Sequence, residues 1–238
     1  MKYMGSKNKI AKQLASIIEK DKNNDEQFYI EPFVGGANLI DKINFKNKIG
    51  YDIHEYLIAL LSAIRDDWEP PKNISKQEYY DIKENINNYD KHLVGFVGFL
   101  CSFGGKWWGG YAFDKKNNRN YALEAKTNLK KQAPNLKNIL FECSDYASIK
   151  VPPNSIIYCD PPYKDTTEYR NKFDHEKFYD WCREKRNEGH TIFLSEYRAP
   201  SDFKEVLEIK AKTSLCKNVR PNRIEKLFKL SIEDNDLK

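Results

Sequence analysis

Apolar positions recur along this chain with two periods, and the changes between them mark out its elements. Ile10, Leu14, Ile17 and Ile18 fall at i, i+4, i+7 and i+8. That spacing predicts a helix over residues 6–20, with Ser6 as its N-cap. A polar stretch, 21–26, separates it from a short strand, Phe28-Tyr29-Ile30. A helix or helical turn is expected at 37–42, then a strand over 48–53 and a helix over 56–68 carrying Leu57, Leu61, Ile64 and Trp68 on one face. Glu69-Pro70-Pro71 stops that helix.

The alternation of strand and helix then lapses until about residue 136. Ser75 with Glu78 three positions on is a capping-box pattern and predicts a helix over 75–88. Residues 92–103 read as a buried helix or strand, 104–111 as a glycine-rich loop and 123–132 as a basic helix. The alternation resumes with strands at 138–143, 155–159 and 190–195 and a helix at 175–187 that ends before Gly189. A short helix is expected at 202–207, and 208–213 with 223–230 form a terminal hairpin. The pattern is α/β: a doubly wound sheet interrupted by an insert of residues 69–136 with helices of its own.

Composition removes several classes. Hydrophobic residues make up 40% of the 238, enough for a packed core. The five cysteines and four histidines are scattered without metal-ligand or disulfide spacing, which fits a reducing cytosol and no metal. The longest mainly apolar run, Leu93 to Cys101, is too short to span a bilayer. The charged N-terminus reads as no secretory signal. Net charge is +5, and its distribution is uneven: residues 106–137 hold eight basic and two acidic side chains. Lys106, Lys115, Lys116 and Arg119, with Trp107 and Trp108, mix cations with aromatics where a polyanion would be met. One of the two tryptophans is expected to anchor the loop to the insert's core.

The chemistry concentrates at strand ends. Asp160-Pro161-Pro162-Tyr163 follows the apolar run 155–159. Two prolines stiffen the backbone and remove donors, leaving a carboxylate, a free carbonyl and a ring at the C-terminal end of a strand. Open α/β sheets bind ligands there. A planar base could stack on Tyr163 while its amine donates to Asp160 and the Pro161 carbonyl. Glu31-Pro32-Phe33-Val34-Gly35-Gly36 makes a tight turn after the first strand, and Asp52 ends the second, where an acid hydrogen-bonds ribose hydroxyls. No phosphate-loop lysine follows the glycines, so a nucleoside cofactor without pyrophosphate suits this turn better than a dinucleotide.

The ordered set Lys2-Tyr3-Met4-Gly5-Ser6-Lys7, Glu31-Pro32-Phe33-Val34-Gly35-Gly36, Tyr51-Asp52 and Asp160-Pro161-Pro162-Tyr163 resembles the Dam-type (D12 class) S-adenosylmethionine-dependent DNA N6-adenine methyltransferases. The resemblance implies a Rossmann-like methyltransferase sheet with helices on both faces. It makes residues 1–68 and 137–238 the catalytic, cofactor-binding domain and 69–136 an inserted, mainly helical target-recognition domain. It places Tyr3, Lys7, Phe33, Gly35, Asp52, Asp145, Tyr146 and Asp160 at S-adenosyl-L-methionine. Asp160, Pro161 and Tyr163 become catalytic, toward an adenine flipped out of duplex DNA, and Lys106, Trp107, Trp108, Lys115, Lys116 and Arg119 become DNA contacts. Ala37 stands where the family commonly has the last glycine of its turn. The resemblance further implies a cytoplasmic enzyme of a bacterial or phage-infected cell, with a cognate restriction endonuclease as a partner on the same site. A ribosomal RNA methyltransferase on the same fold, or a non-catalytic nucleic-acid-binding derivative, are the alternative readings.

Overall fold

Among the described residues seven strands form one sheet whose middle is built from short, almost wholly apolar segments. The computed structural model describes residues 1–114, 119–162, 173–211 and 223–231. The strands are β1 (Phe28–Glu31), β2 (Asn47–Asp52), β3 (Ile139–Cys143), β4 (Ile156–Cys159), β5 (Thr191–Glu196), β6 (Phe203–Ala211) and β7 (Arg223–Leu230). Their order is β3-β2-β1-β4-β5-β7-β6. The first five run parallel and β7 is antiparallel to both of its neighbours. All four residues of β4 are buried, as expected of a central strand covered on both faces.

Both faces carry helices. Helix α1 (Ala11–Ile18) and α2 (Glu55–Arg65) bring Leu14, Ile18, Leu57 and Leu61 against Tyr29, Tyr158, Phe193 and Leu227. On the other face α6 (His175–Asn187) buries Phe178, Trp181 and Cys182 against Ile30, Ile157, Ile192 and Phe228. This is the Rossmann-like α/β arrangement. β1 pairs with β2 on one side and β4 on the other, so the chain reverses its direction of winding between β1 and β4. Ligands of such sheets bind at that crevice, beyond the C-terminal ends of the strands.

Residues between α2 and β3 form α3 (Lys76–Glu84), α4 (Lys91–Gly95) and α5 (Tyr121–Leu136). The capping box of α3 is present: Glu78 N–H donates to Ser75 Oγ at 3.1 Å, and Ser75 N–H donates to Glu78 Oε2 at 2.7 Å. The 92–103 run is helical at first, through α4, and continues as one wider π-type turn at Phe96–Leu100, all buried. Helices α4 and α5 pack on α2. A Cβ on Gly95 would lie 2.1 Å from the Tyr56 carbonyl oxygen of α2, so only glycine permits this approach. Gly95→Ala gains roughly 1 kcal/mol of helix propensity, but separating two packed helices costs more. A net loss of about 1–3 kcal/mol is expected, read from urea denaturation; an unchanged midpoint would show that the two helices are not in firm contact.

Two sequence expectations are corrected, after one that the structure narrows. Of the helix or helical turn expected at 37–42, consecutive turns form, because Gly35 and Ala37 hold left-handed backbone (φ +47° and +52°) that breaks a longer helical path. Residues 202–207 are no helix: Phe203–Ala211 is one strand, since pairing with β7 satisfies its backbone and overrides a locally helical composition. Helix α1 starts only at Ala11, with Ile10 at its N-cap, and Ser6 instead accepts the Asn8 N–H within a preceding turn.

Candidate active site

The parallel strands deliver their acids to one edge of the sheet. Glu31 ends β1, Asp52 ends β2, Asp145 lies two residues past β3, and Asp160 directly follows β4. The turn after β1 is held by Val34 N–H donating to the Tyr51 carbonyl at 2.8 Å and by Gly35 N–H donating to Asp52 Oδ2 at 3.1 Å. The other Asp52 oxygen accepts the His54 N–H at 3.0 Å. Burial pushes the Asp52 carboxyl up to about 6 despite these donors. A buried acid of that kind is well suited to ligand hydroxyl donors that would favour its ionised form.

Tyr3 lies against the glycine turn. A Cβ on Gly35 would sit 2.9 Å from the Tyr3 ring, and one on Gly36 would sit 2.8 Å from Tyr3 Cβ. On its other side Tyr3 meets Phe99 of the insert, ring centroids 5.5 Å apart. Ala37, where the family has glycine, keeps the left-handed conformation a glycine would adopt freely, at some cost in strain. Phe33 and Tyr146 meet at 5.5 Å, and both pack edge-on against the fully buried Phe178. Asp145 caps the short turn that carries Tyr146, accepting the Ala147 N–H at 2.9 Å. Tyr3, Phe33, Gly35, Asp52, Asp145 and Tyr146 are thus assembled around the ends of β1, β2 and β3. Glycine turn, buried acid and ring pair fit a nucleoside cofactor.

Lys7 and Asp160, 153 residues apart, meet directly. Lys7 Nζ donates to Asp160 Oδ1 at 2.8 Å, with the lysine 8% exposed and the aspartate side chain 20%. Glu225 Oε2, on β7, lies 3.8 Å from the same ammonium. Glu31 accepts from the Tyr29 hydroxyl at 2.9 Å; burial above all, with Asp160 nearby, holds its carboxyl well above the usual range. Pro161 is buried. Tyr163 lies outside the described residues, as do Lys115 and Lys116.

The insert residues divide. Trp107 packs into the protein: it stacks on Tyr56 (centroids 5.4 Å, planes 21° apart), meets His54 and Phe99, and covers Gly98. Trp108 meets Tyr79 edge-on. Both tryptophans anchor the loop. Arg119 forms a two-pronged ion pair with Glu124 and lies over the Tyr121 ring. Lys126 and Lys137 pair with Glu69 and Asp67, so part of the basic excess is already balanced. Lys106 is exposed. Phe103 and Phe113, missed by the sequence reading, are 71% and 67% exposed on either side of the Ser102–Tyr111 bridge. Their flanking of the glycine-rich run was the available signal. The loop is seated on the N-terminal segment, since a Cβ on Gly105 would lie 3.2 Å from Tyr3 Cα.

A family model for D12 class N6 adenine-specific DNA methyltransferases matches residues 3–219. The chain belongs to this family. It is 26% identical over 213 residues to the Type II methyltransferase M.FokI of Planomicrobium okeanokoites, covering 77% of this chain and 31% of that protein. It is 25% identical over 153 residues to the DNA adenine methylase of Vibrio cholerae, and 26% over 156 residues to that of Salmonella typhimurium. Those two alignments each cover 56% of this chain and 55% of the relative. The chain therefore spans about half the length of these methylases and less of M.FokI. The ends of β1, β2 and β4 carry Glu31–Gly36, Tyr51-Asp52 and Asp160-Pro161-Pro162 of this D12 methyltransferase. Among the described residues no helix is long and apolar enough to cross a membrane.

Proposed function

We propose that this chain transfers a methyl group from S-adenosyl-L-methionine to N6 of adenine in a short double-stranded DNA sequence, with the base flipped into a pocket at Asp160-Pro161-Pro162-Tyr163. The observation that carries the reading is the Lys7–Asp160 contact at the β1/β4 crevice. The carboxylate there already grips an N–H donor, and its partial exposure leaves it reachable by another. An adenine amine presented at that point would donate one hydrogen to Asp160 and the other to the Pro161 carbonyl. Its lone pair, otherwise delocalised into the ring, then turns out of the plane and becomes nucleophilic. Orientation and fixed dipoles supply most of such an acceleration.

S-adenosylmethionine, when bound, supplies the methyl group on a sulfonium. Asp52 would take the ribose hydroxyls, Phe33 and Tyr146 would flank the adenine, and Tyr3, Lys7, Gly35 and Asp145 would complete the surround. The pocket itself must exclude water and hold the flipped base, which is the part assigned to Tyr163. Residues 69–136 serve as the target-recognition domain, with 1–68 and 137–238 catalytic. In that domain Lys106, Lys115 and Lys116 meet phosphates, and exposed Phe103 and Phe113 present apolar faces to the duplex. Trp107, Trp108 and Arg119 act by holding the loop in place. The likeness to a Type II methyltransferase supports a cognate restriction endonuclease on the same site, in the cytoplasm of a bacterial or phage-infected cell.

Single-molecule sequencing of plasmid DNA from a methylation-deficient host expressing the chain tests the proposal. N6-methyladenine confined to one short motif is the expected result. Unmodified plasmid alongside newly methylated ribosomal RNA would overturn it in favour of an RNA substrate.

A further inference from the structure

We propose that Gln132 is a positioning residue for the cofactor: its side-chain amide, reaching across from the insert, pins the turn after β1 in the left-handed shape that receives S-adenosyl-L-methionine. This rests on the placing of the cofactor at that turn and adds to it a residue that no site motif contains.

Helix α5 turns an almost wholly apolar stripe inward. Its buried residues are Ala122, Ala125, Leu129, Gln132 and Leu136, at alternating steps of three and four. Gln132 is the polar member of this stripe and is only 6% exposed. Burying an amide is costly unless it is hydrogen-bonded. Gln132 Nε2 donates to the Gly36 carbonyl at 3.1 Å and to the Ala37 carbonyl at 2.9 Å. Its Oε1 accepts from the Met1 nitrogen, so the amide is held at both ends.

The two carbonyls flank a single residue. That of Gly36 belongs to the peptide plane before Ala37, and that of Ala37 to the plane after it. The angles φ and ψ of Ala37 are the rotations between those planes. One NH2 group bonded to both carbonyls therefore fixes the two angles together. Ala37 needs such a hold. It sits at φ +52°, where the Cβ of an L-residue is crowded and glycine is at ease. The constraint runs back through the turn: Ala37 N–H donates to the Val34 carbonyl at 2.9 Å, and Gly35 N–H, between them, donates to Asp52 Oδ2 at 3.1 Å. A turn released at Ala37 loses the alignment of Gly35 with the ribose acid. The insert supplies the amide and the strand ends supply the turn, so α5 must be docked for the cofactor to bind tightly.

Calorimetric titration with S-adenosylhomocysteine, beside steady-state methylation of a duplex, reads the effect. Gln132→Met, similar in length but without donors, should weaken S-adenosylhomocysteine about tenfold and raise KM for S-adenosyl-L-methionine by a like factor, with kcat at saturating cofactor and duplex affinity each within about twofold. In an Ala37→Gly background, where the left-handed shape carries no strain, the same substitution should cost less than about threefold. Gln132→Glu, equal in size and lacking the NH2, should lose at least as much as Gln132→Met and keeps the test open if that variant folds poorly. Cofactor affinity unchanged in both variants, equal losses in both backgrounds, an Ala37→Gly protein that itself no longer binds cofactor, or a fall in kcat or duplex affinity as large as that in cofactor affinity would each overturn the assignment. Full-strength cofactor binding by Asp52→Ala would instead overturn the placing of the cofactor at this turn. A weakened Asp52→Ala beside a silent Gln132→Met removes Gln132 alone.

Discussion

Asp160→Ala should slow single-turnover methylation by at least about tenfold while S-adenosylhomocysteine binds nearly as before. A hydrogen bond to a charged acceptor contributes about 1.5–3 kcal/mol, which spans roughly ten- to 150-fold in rate when the bond is needed in the transition state. The lower end applies if the Pro161 carbonyl alone can still orient the amine. A second effect adds to the first. Removing the carboxylate takes away the 2.8 Å hydrogen bond that holds Lys7 Nζ at this point, so the ammonium loses its fixed place beside the base. Asp160→Asn separates the two effects, because its amide oxygen still accepts from an amine while its –NH2 faces Lys7 unfavourably. Rapid-quench measurement with enzyme in excess over duplex reads the chemical step directly. A rate for Asp160→Ala matching that of the unaltered enzyme would remove the central residue of the proposed mechanism.

Much of this site is legible in the chain because its parts lie at the ends of short apolar strands. Glu31, Asp52 and Asp160 each follow a run with little choice but to be buried, and parallel pairing brings all three to one edge. The Ser75–Glu78 cap was readable for a similar reason: its physics is local. What could not be read was tertiary. Lys7 and Asp160 are far apart in sequence, and neither spacing nor composition announces that the lysine is buried against the aspartate. Glu225 is one acid in a charged strand until β7 pairs with β5. Trp107 looked like a surface reader beside Lys106, yet Gly98 leaves a place for its ring. Residues 202–207 have a helical composition that ladder pairing overrides, and the left-handed Ala37 defeats a helix that its neighbours would otherwise allow.

Asp52→Ala should weaken cofactor binding by about 100-fold or more, and in the unaltered protein the same carboxylate should make that binding pH-dependent. Two ribose hydroxyls donating to a charged acceptor are worth about 1.5–3 kcal/mol each, and the Gly35 N–H at 3.1 Å loses its partner as well, loosening the turn. Burial raises this carboxyl to about 6 in the ligand-free protein. Hydroxyl donors favour the ionised form, so affinity for S-adenosylhomocysteine should fall as pH drops through about 6, by roughly tenfold between pH 7 and pH 5. Binding at pH 6 should release about half a proton, detectable by calorimetry in buffers of different ionisation enthalpy. Stability of the ligand-free fold takes the opposite sign. A carboxyl that holds its proton more tightly folded than unfolded favours the folded state most at low pH, and that contribution is lost as pH rises from about 4 to about 6. Asp52→Asn should abolish both dependences while keeping one acceptor in place. Cofactor affinity that stayed level from pH 7 to pH 5 would mean that Asp52 does not receive the ribose in its charged form.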